Sequence, residues 1–307
     1  MSAPSEDGGR AAVVVALAAN LAIAGTKFLA FIFTGSSAML AEAVHSVADS
    51  GNQLLLIIGG KRSKRLATEA HPFGFGRDRY IYSFLVAVVL FTVGGLFALF
   101  EGIEKIRHPH EITSPAWAIA TLLAAIFLES LSFRTAIKIA REDKAEESWV
   151  KYIRQAKAPE LPVVLLEDFG ALVGLVLALV AVSASIVFNA PIYDGLGTLA
   201  IGLLLLCVAT VLAVESKSLL IGESASPIDA AKIIAAILAT NEVERVIHIR
   251  TLHLGPDEIL VAAKIAVRDD QSSIAIARAI DAAEASIRAE VPLAKIIYLE
   301  PDIDRGR

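Results

Sequence analysis

The sequence predicts an α-helical membrane protein: six transmembrane helices followed by a small cytoplasmic α/β domain of ferredoxin-like order, α-β-β-α-β. Three observations predict it. The 307 residues are 55% hydrophobic and only 20% charged, with a mean hydropathy of +0.63, whereas soluble domains run nearer half apolar and a quarter charged. Six apolar runs are each long enough to cross a bilayer. From Glu215 the pattern changes to short amphipathic helices alternating with β-rich runs. The expected domains are therefore 1–214 in the membrane and 215–307 in the cytoplasm.

The first span is expected from about Ala11 to Phe33, with Asn20 and Lys27 as its strongly polar members. Asn20 reads as a helix–helix hydrogen bonder. The turn Thr34-Gly35-Ser36-Ser37 leads into a second span ending near Gly60. The third covers about Tyr80 to Phe100, the fourth about Pro115 to Ile139. The fifth is expected after Pro162, to about Val187, and the sixth from about Tyr193 to Val214. Asp194, at the start of the sixth, reads as a cap.

Charge fixes the orientation. The loop after span two carries Lys61, Arg62, Lys64, Arg65, Arg77 and Arg79, and that after span four Lys138, Arg141, Lys144, Lys151, Arg154 and Lys157. The opposite side has only Lys105 and Arg107. The positive-inside rule then places both termini in the cytoplasm. A net charge of −5 argues against nucleic acid as a partner. One cysteine, Cys207, excludes an intrachain disulfide and a cysteine-rich metal site. Residues 1–10 are short and acidic, without the basic start of a cleavable signal peptide or an Arg-rich targeting presequence, so a prokaryotic inner membrane is the expected location.

In the C-terminal part, Ser226-Pro227 reads as a helix start, serine capping and proline at the first helical position. Runs Val246–Leu254 and Ile259–Val267 flank the turn signal Gly255-Pro256-Asp257-Glu258. A second helix is expected from about Ser273 to Ala289, and Ile296–Leu299 closes as a strand. Roughly ninety residues bury only a modest core, which pairing with a second copy would extend.

The chemistry-bearing residues lie in the spans. His45 and Asp49 are four apart, hence on one face of a helix. Ionisable groups at membrane depth are costly unless they line a polar cavity or bind something. An imidazole and a carboxylate so spaced suit a divalent metal such as zinc. Span five carries Glu167-Asp168, which point about 100° apart on a helix and so do not serve one ligand equally. Gly170, Ala171 and Gly174 beside them permit another helix to come close. Glu129, mid-way along span four, reads either as a ligand or proton relay, or as a polar contact between helices.

With these residues in view, the chain resembles the cation diffusion facilitators. The resemblance rests on His45-Ser-Val-Ala-Asp49, the lead-in Gly35-Ser36-Ser37-Ala38-Met39-Leu40-Ala41-Glu42 and the loop His71-Pro72-Phe73-Gly74-Phe75-Gly76-Arg77. The segment Leu165-Leu166-Glu167-Asp168 is similar to a divergent branch that includes mitochondrial zinc exporters. The resemblance implies a homodimeric exporter of zinc or a similar divalent cation driven by proton antiport, without a cofactor. It also implies a four-ligand transport site, with His45 and Asp49 from span two and Asp168 from span five. Where many members carry a fourth ligand, one turn before Asp168, this chain has Val164, which coordinates nothing. Water, Glu167 or Glu129 could fill that place. A set richer in oxygen also admits manganese, iron or cobalt.

His71 reads as structural, within a loop shaped by Pro72 and glycines. His248 and His253 are an odd number apart on one strand and face opposite sides, so without a bulge they do not chelate one ion together. With Glu300 and Asp302 they form only a weak case for a regulatory metal site. Two other functions fit the same residues. A non-transporting metal sensor or scaffold is motivated by Val164. An intramembrane metal-dependent hydrolase would use similar ligands, but no His-Glu-x-x-His is present.

Overall fold

The computed structural model describes residues 14, 17–18, 20–26, 28–29, 32, 37–109, 115–144, 148–268 and 270–303, without the side chains of 37–45. The described chain forms two compact units. One comprises residues up to Arg62 with Arg79–Lys217, the other Ser63–Asp78 with Ser218–Arg307.

The first unit is helical. Its elements are α1 (Ser37–Arg62), α2 (Asp78–Arg107), α3 (Pro115–Lys144), α4 (Trp149–Gln155), α5 (Glu160–Val187) and α6 (Ile192–Ile221). Among the described residues, α2, α3, α5 and α6 are long and apolar enough to cross a membrane, with mean hydropathies of 2.5, 1.8, 2.5 and 2.5. The protein is an integral membrane protein. α1 spans 26 residues, but Ser46, Asp49, Ser50, Asn52 and Gln53 interrupt its apolar run. Part of the first expected span lies outside the described residues, and within it 20–26 are helical.

α5 begins at Glu160, earlier than expected, because Pro162 in a first turn forfeits no hydrogen bond. α6 runs past the expected domain border at residue 214. Leu212, Ser216 and Leu219 continue one buried stripe at helical spacing, which keeps that segment helical.

Apolar side chains from every long helix meet in one core, among them Leu56 of α1, Val86 and Leu90 of α2, Ala136 of α3, Val164 of α5 and Val208 of α6. α2 and α6 approach along glycines. A Cβ on Gly102 would lie 2.7 Å from Leu199 N, and one on Gly202 2.8 Å from Leu99 N. Within α2, Leu90–Leu96 is π-helical, a geometry frequent at functional sites. Asp194, expected as a cap, lies within the first turn of α6 and pairs with Lys105 at 3.0 Å. The Tyr152 hydroxyl donates to Asp143 Oδ2 at 2.7 Å, and burial, with Asp143 beside it, pushes this phenol well above its ordinary range.

The second unit has the expected order α7 (Pro227–Leu238), β1 (Val243–Gly255), β2 (Glu258–Val267), α8 (Ser273–Glu290) and β3 (Ala294–Asp302). The sheet order is β1-β2-β3, with β1 antiparallel and β3 parallel to β2. Ser226 Oγ accepts from Asp229 N at 3.1 Å, the cap read from sequence. Along β2, Ile259, Val261, Ala263 and Ile265 are buried alternately, the period of a half-covered strand. They pack against Ile233 and Ile237 of α7 and Ile287 of α8.

Residues Ser63–Asp78, between α1 and α2 in sequence, fold with this second unit. Gly76 meets the β1–β2 turn backbone to backbone: a Cβ there would sit 2.8 Å from Leu254 O, and one on Gly255 2.9 Å from Gly76 Cα.

Candidate functional site

Buried polar side chains of the first unit gather where α1, α3 and α5 meet. Glu167 of α5 is 5% exposed and Asp168 2%. Being adjacent on a helix, they diverge, as the sequence requires. Glu167 faces α1: Asn52 Nδ2 donates to its Oε1 at 2.8 Å and Gln53 Nε2 to its Oε2 at 3.1 Å. Asp168 faces α3, where Ser132 Oγ donates to its Oδ2 at 3.0 Å. Gln53 Oε1 in turn accepts from Asn20 Nδ2 at 3.2 Å, the helix–helix role expected of Asn20. The result is a continuous line of hydrogen bonds through Asn20, Gln53, Glu167 and Asn52.

Asp49 stands three residues before Asn52 on α1 and is partly buried. His45 lies one turn earlier in the same helix, and its side chain is outside the description. Glu129 is 6% exposed, on the face of α3 that also carries Ser132. Val164 is fully buried in the apolar core. Gly170 and Gly174 do admit a neighbouring helix, and it is α6: added Cβ atoms would lie 3.5 Å from Val208 and 3.6 Å from Ile201. Among the described residues, no three of His, Cys, Asp and Glu converge closely enough to hold a metal ion.

Sequence alone does not single out Asn52, Gln53 and Ser132. The available signal was an adjacent amide pair inside an apolar run, one helical turn from Asp49. A second unanticipated pair is Arg79 with Glu160. Arg79 Nη2 donates to Glu160 Oε2 at 2.8 Å while its Nε reaches the other oxygen. Sequence placed Arg79 among loop charges; it is 8% exposed at the start of α2.

In the second unit, His253 is buried with Nδ1 3.2 Å from Gly255 O, a packed histidine. Lys264 pairs with Glu300 at 3.1 Å and Asp302 at 2.9 Å, and hydrogen bonds to Asp302 and Glu300 raise its ammonium above the ordinary lysine range. His71 stacks at 4.7 Å on Phe75 within its loop, consistent with shaping it.

The profile described as cation efflux transmembrane domain matches residues 13–221. The chain belongs to the cation efflux family. A second profile, cation efflux protein, cytoplasmic domain, matches residues 225–302. The chain is 33% identical over 256 residues to the Xenopus laevis protein named proton-coupled zinc antiporter SLC30A9, mitochondrial, covering 82% of this chain and 46% of that protein. The Homo sapiens protein of that name is 31% identical, covering 82% and 45%. Metal tolerance protein C4 of Arabidopsis thaliana is 28% identical, covering 83% and 56%. The chain thus spans about half the length of the curated relatives it matches.

Proposed function

We propose that the chain moves a divalent cation, zinc first, out of its compartment in exchange for protons. The carrying observation is the buried set of carboxylates and amides across α1, α3 and α5, in a chain of the cation efflux family. Carboxylates are retained at membrane depth at a cost of several kcal/mol only where they bind or relay something. His45, Asp49 and Asp168 are the proposed metal ligands. Ligation needs neutral imidazole and ionised carboxylates, so binding releases protons, and protons arriving from the far side release the metal. Alternating access supplies the motion. Glu129 remains a candidate relay or ligand, while Glu167, already accepting two amide donors, is less open to a metal than the sequence suggested.

The arrangement proposed with this function is six spans with both termini cytoplasmic, domains at 1–214 and 215–307, and a homodimer through the C-terminal domain. The proposed location is a prokaryotic inner membrane; relatives named mitochondrial make an organellar membrane the competing outcome of a localisation experiment. Manganese, iron and cobalt are secondary substrates to test. The family is one of transporters, which leaves the hydrolase reading without support. A sensor that binds without moving metal is favoured by one observation, the apolar burial of Val164 where a ligand would stand.

The test uses liposomes loaded with a zinc-sensitive dye under an imposed proton gradient. Wild type should show gradient-driven zinc entry, and Asp49→Ala and Asp168→Ala should each reduce it by at least about tenfold to a hundredfold, the loss that removing even a group that only orients a metal ligand brings. Binding without flux in wild type would favour the sensor. Undiminished flux in both variants would overturn the site.

A further inference from the structure

Asn52 is 2% exposed, and its hydrogen bond to Glu167 identifies its two terminal atoms. A carboxylate oxygen accepts, so the atom facing Glu167 is the amide nitrogen. The amide oxygen points elsewhere and has no hydrogen-bond partner. A buried acceptor left unsatisfied carries the desolvation penalty of that group, which a charge-assisted bond on the other side of the amide can offset. Asn52 also lines a cavity of about 10 Å³ with Asp49, the room of roughly one water or one ion. The rest of its wall is Ala48 of α1 and Val89, Leu90, Val93 and Gly94 of α2. Most of these α2 residues lie in the π-helical stretch, and Gly94 contributes no side chain to fill the space.

Positions 45, 49 and 52 fall along one stripe of α1. We infer that Asn52 Oδ1 is a further contact for the transported cation beside Asp49, and that Glu167 is a positioning residue that holds the amide in this orientation. The inference rests on the proposed transport reading and adds to it a donor and a selectivity. An amide oxygen is a hard donor, which favours manganese relative to zinc more than an imidazole does. It would supply the oxygen that Val164 does not. Gln53 serves as an internal control, because it donates to the same carboxylate without lining the cavity.

The experiment measures equilibrium binding of Zn²⁺ and of Mn²⁺ to the detergent-solubilised full chain, with proton-driven flux in liposomes alongside. Asn52→Ala should weaken Mn²⁺ binding about tenfold and Zn²⁺ binding by less, raising the preference for zinc. Glu167→Gln should shift the preference the same way, since an amide cannot accept from both donors in the wild-type arrangement. Gln53→Ala should leave the preference unchanged. Equal changes in both metals for Asn52→Ala and Gln53→Ala would mean a packing effect and overturn the inference. So would wild-type binding in Asn52→Ala. If wild type binds metal without proton-driven flux, the antiport reading fails while the affinities still decide the role of Asn52. If wild type binds neither metal, both fall.

Discussion

At the scale of single residues, the pair most sensitive to one-sided substitution is Arg79 with Glu160. Both are largely buried and joined by two hydrogen bonds. Breaking a buried pair from one side leaves an uncompensated charge and costs about 3–5 kcal/mol, whereas replacing both partners with apolar groups of similar volume is often neutral. Arg79→Met and Glu160→Leu alone should each lower the thermal unfolding temperature in detergent strongly, and the double variant should recover most of the loss. A double variant as unstable as the worse single one would show that the pair is not the unit. Sequence did not reveal this pair because an arginine near a span end reads as an orientation signal, and its partner is 81 residues away. The candidate site was legible to a similar depth. His45, Asp49, Glu129, Glu167 and Asp168 stand out because charge at membrane depth is expensive. Asn52, Gln53 and Ser132 do not, because neutral amides and hydroxyls cost less and their partners come from distant helices.

At the scale of elements, hydropathy located the four described helices long and apolar enough to span but not the short α4, and turn chemistry located the strands and the Ser226 cap. Neither says which helix faces which. Gly170 and Gly174 marked a place where some helix comes near, but the glycines whose added Cβ would meet a neighbouring helix's backbone first lie between α2 and α6. There the backbone itself is the neighbour. Gly102→Ala gains about 0.8–1.0 kcal/mol of helix propensity, but its Cβ would meet Leu199 N at 2.7 Å, and overpacking of this kind costs about 1–3 kcal/mol. A backbone nitrogen cannot swing aside as a side chain can, so the clash wins and the variant is destabilised. Gly60→Ala on α1, with nothing within 4 Å of the added carbon, should keep the propensity gain and melt slightly higher. Opposite signs in paired thermal melts are the expected result, and a shared sign would refute the α2–α6 contact as drawn.

At the scale of the whole chain, the division into two units does not follow the order of the sequence. Hydrophobic periodicity reads 63–78 only as a charged connection between spans, because docking onto a distant strand turn leaves no period behind. Its glycine does carry a trace: Gly76 lies against Gly255, two residues without side chains where two backbones touch. The loop is also internally bonded, with Gly74 N donating to His71 O at 3.0 Å and Asp78 N to Phe75 O at 2.9 Å. Gly76→Ala would bring a methyl group against Leu254 O and Gly255 Cα, neither of which belongs to a flexible side chain. The substitution should therefore undock the loop rather than unfold the unit, whose core of Ile233, Ile259, Ile265 and Ile287 is formed without it. Amide hydrogen exchange followed by mass spectrometry should accelerate over residues 63–78 and at the 255–258 turn, while β2 and α8 keep their protection. Unchanged exchange over 63–78 would mean that the glycine contact does not hold the loop. Faster exchange throughout β2 and α8 would mean that the loop is part of the folding core of this unit.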